Sequence, residues 1–306
     1  THGDAEIISV TVEGGIHRTT YGETAPRVRK LANGLLSLGV KIGDRVATLA
    51  WNGYRHFELY YAISGIGAVC HTINPRLSAE QMIYIINHAG DSIICVDLTF
   101  VPILEAIKDK VPSNMKYIIM TDRDHMPDTI LENVLCYEEV LEKGDSNIEW
   151  PEFPEETASS LCYTSGTTGN PKGSLYTHRS TVLHSLTAGI SFPETMRAGV
   201  RILPVVPLFH VNAWGLAYAA PLVGASIIFP GPNLDGKSIF DLMDSENVFS
   251  AWGVPTVWLG LLSEIENRGR IPNGFGEAII GGSAVPRYMV ESFEKLSVSV
   301  CHAWGM

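Results

Sequence analysis

The chain reads as an α/β protein built around mostly parallel β-sheet, and three observations carry the reading. Short apolar segments alternate with segments of helical period along most of the 306 residues. Apolar residues make up 45% and charged residues 18%, enough burial to offset the entropy of ordering the chain, so a disordered protein is excluded. The 29 Gly and 17 Pro follow no repeat period, which excludes a low-complexity chain. At about 150 residues per domain, the length suits one large domain or two smaller ones.

The first confident element is a helix. Val28, Leu31, Ala32, Leu35 and Leu36 recur at helical spacing behind a Thr20-x-x-Glu23 capping box, with Gly39 as the stop signal. A strand is expected over 45–50, a helix over 54–66, a strand over 68–73, and a helix opened by a second box, Ser78-x-x-Gln81. A strand over 92–96, a helix over 101–110 and a strand over 117–120 continue the rhythm. Residues 121–156 break it: Asp122, Asp124, Asp128, Asp145, Pro151 and Pro154 mark a loop-rich excursion with one short helix near 137–142. Strands then follow over 161–164, 202–204, 226–229, 249–252, 278–280 and 297–302, with helices between them. Ligands of such folds sit at the carboxyl ends of the strands.

With 22 Lys+Arg against 33 Asp+Glu, the formal charge is −11, which argues against nonspecific binding to nucleic acid or an anionic membrane. A local cationic site for a phosphate remains compatible with that balance. The cysteines Cys70, Cys95, Cys136, Cys162 and Cys301 form no CxxC, so a reducing compartment without a cysteine metal site is expected. The first fifteen residues lack a basic region followed by an apolar stretch, so the expected location is cytoplasmic. No charge falls between Arg201 and Asp235, yet Pro204, Pro207 and Pro221 each remove a backbone donor that lipid cannot replace. A strand-loop-helix run, and not a transmembrane span, is the expectation there.

Directly after the strand Leu161-Cys162-Tyr163 stands Thr164-Ser165-Gly166-Thr167-Thr168-Gly169-Asn170-Pro171-Lys172-Gly173. Its small residues let backbone N–H groups approach an anion closely, its hydroxyls add donors, and Lys172 brings a cation, as a polyphosphate requires. A flexible linker would explain neither the strand before it nor the Pro-Lys-Gly after it. Gly231-Pro232-Asn233-Leu234-Asp235-Gly236-Lys237-Ser238 competes, since it satisfies the GxxxxGK[ST] pattern between a strand and a helix. Two residues count against it: Pro232 lacks a backbone donor, and Asp235 would set a carboxylate beside phosphate charge. His178 and His184 lie six apart, not four, and so miss the spacing of a helical metal pair.

The run from Tyr163 to Gly173 resembles the phosphate-loop signature of the adenylate-forming (ANL) superfamily, which includes acyl-CoA synthetases, firefly luciferases and peptide-synthetase adenylation domains. Val206-Pro207-Leu208-Phe209-His210-Val211-Asn212-Ala213-Trp214 and Gly281-Gly282-Ser283-Ala284-Val285-Pro286-Arg287 resemble further motifs of the same family, in the same order. Cys301-His302-Ala303-Trp304-Gly305-Met306 resembles the start of its adenine-binding motif. The resemblance covers essentially the whole chain, and the segment 206–214 points to the fatty-acyl and related acyl-CoA synthetases. It implies a composite N-terminal domain with two mostly parallel sheets packed in αβαβα layers. Residues 1–306 would be a partial adenylation domain, with approximate subdomains 40–190 and 1–39 plus 191–306, the mobile C-terminal domain being absent.

The implied chemistry has a carboxylate attack the α-phosphate of ATP, releasing pyrophosphate, before coenzyme A takes the acyl group from the adenylate. Charge is the main burden, so cations, N–H donors and Mg²⁺ are required. By resemblance, Lys172 and His210 are the catalytic candidates. Thr164, Ser165, Gly166, Thr167, Thr168, Gly169, Lys172, Val211, Trp214, Gly282, His302, Ala303 and Trp304 would bind ATP, with Thr164 also helping to hold the magnesium. Phe209, His210, Trp214, Gly281, Gly282 and Ser283 would bind the acyl group, Trp214 as a gate. Residue chemistry is compatible: Gly281-Gly282 lets a planar group lie on bare backbone, and Trp304 offers a face for adenine. Taken alone, Gly281 to Ala284 would read as a tight turn, Phe209 and Trp214 as core, and His210 as a satisfied donor.

Departures narrow the expectation. The chain stops before the Thr and Glu that normally follow Met306, Trp304 stands where many members have Tyr, and Ser174 where a branched aliphatic is usual. The chain is therefore expected to be a large-domain fragment with little activity alone. As a full-length protein it would activate a fatty or other apolar carboxylate. The same segments also resemble the ligases for 3-methylmercaptopropionate, a short thioether acid. A non-catalytic nucleotide-binding module, or a homodimer such as some fatty-acyl members form, is the alternative from another class.

Overall fold

The computed structural model describes residues 1–164 and 169–305. It begins with a hairpin, β1 (Glu6–Val10) and β2 (Ile16–Thr20), which turns at Gly14 and Gly15 with φ of 101° and 84°. Glycine adopts such angles at little cost. Helix α1 (Tyr21–Ser37) starts at the expected box: Glu23 N donates to Thr20 Oγ1 at 3.2 Å, and Thr20 N to the Glu23 carboxylate at 3.0 Å. Next come β3 (Arg45–Leu49), α2 (Tyr54–Gly65), β4 (Val69–Thr72) and α3 (Ala79–Ala89), the last opened by the Ser78 and Gln81 box. They are followed by β5 (Ile93–Val96), α4 (Val101–Ile107), β6 (Lys116–Ile119), β7 (Val134–Cys136), α5 (Tyr137–Glu142), β8 (Ala158–Tyr163) and β9 (Gly173–Thr177).

The remaining elements are α6 (His178–Ser191), β10 (Arg201–Pro204), α7 (Leu216–Val223), β11 (Ser226–Phe229), α8 (Gly236–Ser245) and β12 (Ser250–Gly253). Then follow α9 (Pro255–Arg268), β13 (Glu277–Ile280), α10 (Arg287–Lys295) and β14 (Ser299–His302). Strands β1, β2, β7 and β9 fall where the alternation announces none. β2 and β9 are half-exposed edge strands with few apolar residues, and β7 is too short to show a period. The helix expected over 101–110 tightens to a 3₁₀ turn at Lys108–Lys110. No helix among the described residues is long and apolar enough to cross a membrane.

Two seven-stranded sheets result, ordered β14-β13-β12-β10-β11-β1-β2 and β7-β6-β5-β3-β4-β8-β9. All neighbours run parallel except the last pair of each, β1 with β2 and β8 with β9. Three apolar clusters separate the layers. α3 and α4 cover the outer face of the second sheet, and α8, α9 and α10 that of the first. Between the sheets lie α1, α2, α5, α6 and α7. The expected αβαβα stack is thus the observed one. Helix α2 is buried on nearly every side, from Tyr54 to Ser64, and accordingly lacks a polar face.

Polar side chains tie this stack together. Arg27 of α1 meets Glu58 of α2 at 2.6 Å and Glu138 of α5 at 3.1 Å, and Arg55 joins Glu138 at 2.9 Å and Glu13 at 2.6 Å. Tyr137 Oη donates to Glu58 at 2.7 Å. Asn52, buried after β3, reaches the other sheet: its Nδ2 donates to Pro204 O at 2.8 Å and Val206 O at 2.9 Å, and its Oδ1 accepts from Leu208 N at 2.7 Å. Asp97 accepts from Trp51 N at 2.7 Å, and its burial pushes the carboxyl up to about 7.

Two outcomes test these ties. Asn52→Leu keeps the volume but leaves two carbonyls and one N–H without partners, so denaturant unfolding should show a loss of about 3 kcal/mol or more. A loss under about 1 kcal/mol would show that the stitch is dispensable. Asp97 holds its proton more tightly folded than unfolded, so its contribution is full below about pH 4 and lost as pH rises to about 7. Wild type should therefore gain on Asp97→Asn as pH falls from about 7 to 5, by up to about 1.4 kcal/mol per unit. A difference that is flat across that window would contradict the assignment.

Candidate active site

The phosphate-loop segment leaves β8 and returns along β9, with Tyr163 opposite Gly173. Thr164 N donates to Lys172 O at 2.9 Å and Thr164 Oγ1 to the same carbonyl at 3.3 Å, so the two ends of the loop are pinned together. Gly173 permits this approach, since a Cβ there would fall 2.9 Å from Leu161 Cδ1. Thr164, Gly169 and Lys172 are exposed, and Gly169 has φ 100°. Ser165, Gly166, Thr167 and Thr168 lie outside the described residues. Below the loop, Tyr163 is buried and its hydroxyl lies 2.7 Å from His88 Nδ1.

The segment proposed from resemblance to border the acyl group, 206–214, takes an unexpected shape. Val211, Asn212, Ala213 and Trp214 have φ of 50°, 51°, 47° and 55°, and Gly215 follows at 80°, which makes a left-handed turn before α7. Four non-glycine residues at about 1–2 kcal/mol each store strain on the order of 4–8 kcal/mol. Several contacts hold the turn. Ala213 N donates to Pro207 O at 3.1 Å, and His184 Nε2 lies 3.0 Å from Trp214 O. Asn212 Nδ2 donates to Ser160 Oγ at 3.0 Å, while Tyr60 Oη donates to Asn212 Oδ1 at 3.0 Å and to Leu208 O at 2.6 Å. A Cβ on Gly215 would strike His184 at 2.4 Å, so that position requires glycine twice over.

The turn delivers Trp214 to the third motif. A Cβ on Gly281 would lie 2.9 Å from Trp214 Cη2 and 2.8 Å from Ala303 O. The bare backbone at Gly281 is therefore filled by the indole on one side and the end of β14 on the other. Gly282 has φ 80°, and it and Ser283 are exposed beside them. Ala303 N donates to Ile280 O at 2.8 Å, extending β14 past His302. His302 is exposed, and Trp304 is 82% exposed, so its face is open to solvent.

Phe209 turns inward, edge-on to Trp51 at 6.3 Å, and is buried. His210 is exposed, and Val211 is 37% exposed. Protein around its ring and the Arg76 charge hold the His210 imidazole below its ordinary pKa, so it is neutral at pH 7. Trp214, Gly281 and Ala303 are thus in contact. Arg76 and Asn52 are parts of this region that residue pattern does not single out, and Asn212 lies within a motif but not among its candidate site residues. Asn212 alone carries a signal, as the one residue of its turn that tolerates a left-handed backbone.

The rival loop is no cradle. Asp235 caps α8, its carboxylate accepting from Ser238 N at 3.0 Å and Ser238 Oγ at 2.7 Å, and Lys237 pairs with Asp241 at 3.1 Å. A carboxylate holds the helix N-terminus that a phosphate would need. Among the described residues, no group of three His, Cys, Asp or Glu could hold a metal. Thr164 offers a single hydroxyl, so a magnesium here fits only as an ion carried in on phosphate oxygens.

The chain is 48% identical to a medium-chain-fatty-acid–CoA ligase of Ectopseudomonas oleovorans, over 100% of this chain and 56% of that protein. It is 47% identical to a 3-methylmercaptopropionyl-CoA ligase of Ruegeria lacuscaerulensis, over 100% of this chain and 57% of that one. The chain spans about half the length of the curated relatives it matches. Its fold superposes on a crystal structure of a long-chain-fatty-acid-CoA ligase from Archaeoglobus fulgidus with TM-score 0.86 at 20% identity, covering 100% of this chain and 62% of that one. The profile of the AMP-binding enzymes matches residues 1–306, and the chain belongs to that family of adenylate-forming proteins.

Proposed function

We propose that the protein carrying this chain joins an apolar carboxylic acid to coenzyme A at the expense of ATP. A carboxylate oxygen attacks the α-phosphorus, and the bond to pyrophosphate breaks. The thiol sulfur of coenzyme A then attacks the acyl carbonyl, AMP leaves, and the thiol proton passes to solvent. The carrying observation is the contact of Trp214 with Gly281 beside Ala303, near strand β8 that presents Thr164. Family membership supplies the reaction class, and relatives named as CoA ligases support it.

The residues suit the demands of the first step. A carboxylic acid is already ionised at pH 7, so no general base is required. Neutral His210 serves as a hydrogen-bond donor toward the carboxylate, and exposed Lys172 supplies a cation for the phosphates. A bound magnesium would neutralise phosphate charge, with the Thr164 hydroxyl beside it. The remaining ATP contacts proposed are the residues of the pinned loop together with Val211, Gly282, His302, Ala303 and Trp304, while Trp214, Gly281, Gly282 and Ser283 border the acyl group. Phe209 supports that wall from behind.

A fatty acid is the favoured substrate, supported by the relative named as a medium-chain-fatty-acid–CoA ligase. The relative named for the thioether acid keeps the short-acid reading in play. A panel of carboxylates of increasing length separates them: activity rising beyond about ten carbons excludes the short acid.

Three variants test the site on the full-length protein, the first two by carboxylate-dependent ATP–pyrophosphate exchange. Lys172→Ala should lower exchange by about 100-fold or more, and Lys237→Ala by less than about twofold. Comparable losses would return the rival loop to consideration. Gly281→Ala should raise the KM for the acid about tenfold or more, because its Cβ displaces the Trp214 ring or Ala303. An unchanged KM would remove Gly281 and Trp214 from the acyl site.

A further inference from the structure

Asn212 belongs to the acyl motif, but its side chain is committed to the strand that leads into the phosphate loop. Its Nδ2 donates to Ser160 Oγ at 3.0 Å, and its Oδ1 accepts from Cys162 Sγ at 3.4 Å. Ser160 and Cys162 both lie on β8, before Thr164. Tyr60 of α2 completes the set, its hydroxyl shared between Asn212 Oδ1 at 3.0 Å and Leu208 O at 2.6 Å. All four residues are buried: Asn212 is 7% exposed, Cys162 6%, and Ser160 and Tyr60 0%.

We propose that Asn212 is a positioning residue that couples the acid site to the ATP site, by holding the left-handed turn that carries Trp214 in register with the strand that carries Thr164. The inference rests on the adenylation reading above. Asn212 is buried behind the turn and acts through it, without touching substrate. β8 is paired along both edges, with β4 and with β9, so a displacement at Ser160 is passed along a stiff strand to Thr164 and not absorbed in a loop. On the other side, residues 211–214 are held at angles that their own preferences oppose. A strained turn returns toward ordinary angles once its anchors are released, so its position depends on the anchor more than that of a relaxed loop would.

The residue type fits the role. Asparagine tolerates a positive φ and offers a donor and an acceptor from one planar group. Glycine would keep the backbone and lose both bonds. Alanine would lose the bonds and add strain. Packing alone would require neither the donor toward Ser160 nor the acceptor toward Tyr60.

The test measures coupling, the ratio of acid affinities with and without an ATP analogue whose α–β bridge is methylene, by calorimetry on the full-length protein. Wild type should bind the acid at least about fivefold more tightly with the analogue present, a coupling in the usual range between linked sites. Asn212→Gly, which accepts the backbone angle, should bring the ratio to about 1, whatever its effect on the affinity for either ligand alone. Ser160→Ala approaches the same bond from the β8 side and should give the same loss, and the double variant should be no worse than either single one. If Asn212→Gly does not fold, Ser160→Ala carries the test alone. Coupling retained in Ser160→Ala, or additive losses in the double variant, overturns the proposal. Exchange absent from wild type overturns the adenylation reading and this inference together, whereas wild-type exchange with unaltered coupling in the variants overturns this inference only.

Discussion

Asn52 sits at the end of β3 in one sheet, yet all three hydrogen bonds of its side chain go to the other. Its own carbonyl accepts from Gly231 N at 3.1 Å, just beyond β11, so the crossing is made twice. Asn212 with Ser160, and Glu13 with Thr121, add further directional links between the two sheets. Strands within a sheet are set by their ladders, whereas the apolar contacts of the helices between two stacked sheets are non-directional and tolerate sliding. The partners of Asn52 are Pro204, Val206 and Leu208, the segment that leads directly into Phe209 and His210. The Asn52 amide therefore helps to set where residues 204–210 stand relative to the second sheet, which carries Thr164 and Lys172 at the ends of β8 and β9.

The buried ions act on the same problem from the opposite side. Arg27, Arg55, Glu13, Glu58 and Glu138 bind α1, α2, α5 and the β1–β2 turn into one body, though buried ion pairs contribute little net stability once desolvation is counted. What they provide is direction: α2 is so uniformly buried that hydrophobicity alone would not fix its rotation about its axis. With α2 fixed, Tyr60 is fixed, and Tyr60 holds Leu208 and Asn212. The strain in residues 211–214 is sustainable because both faces of the turn meet elements already locked by other means.

The layered fold was legible because each layer leaves a local trace. The two capping boxes at Thr20 and Ser78 mark helix starts through bonds the structure contains, and Val28, Leu31 and Leu35 face the core as their spacing requires. Edge strands such as β9 escape the pattern, because pairing on one side demands neither an apolar run nor strict alternation. The site is legible in part for a related reason. Gly281 announces itself, since only glycine leaves room for Trp214, whereas the turn of Val211, Asn212, Ala213 and Trp214 holds no glycine until Gly215. Its shape is imposed by Ser160, Tyr60 and His184, distant in sequence, and no local propensity encodes it. The rival loop at Gly231 to Ser238 shows the converse: its spacing satisfies a phosphate pattern, but Asp235 turns the same helix start into a capped one.

Charge gives a last constraint on how such a site works. A net charge of −11 repels an incoming nucleotide at long range, yet the Debye length at physiological salt is about 8 Å, so only charges near the ligand matter at contact. Near the proposed phosphate site stands Lys172, and near His210 stands Arg76. These two cations do not by themselves balance the several negative charges of a nucleotide and an acid, so a bound magnesium and N–H dipoles would contribute as well. The bonds from Thr164 to Lys172 O hold these two residues side by side, and groups already positioned need little reorganisation as charge develops. The same economy explains why register matters more here than total charge. Dipolar stabilisation falls off faster with distance than that of an ion, so a site that relies on it tolerates less displacement between its two halves.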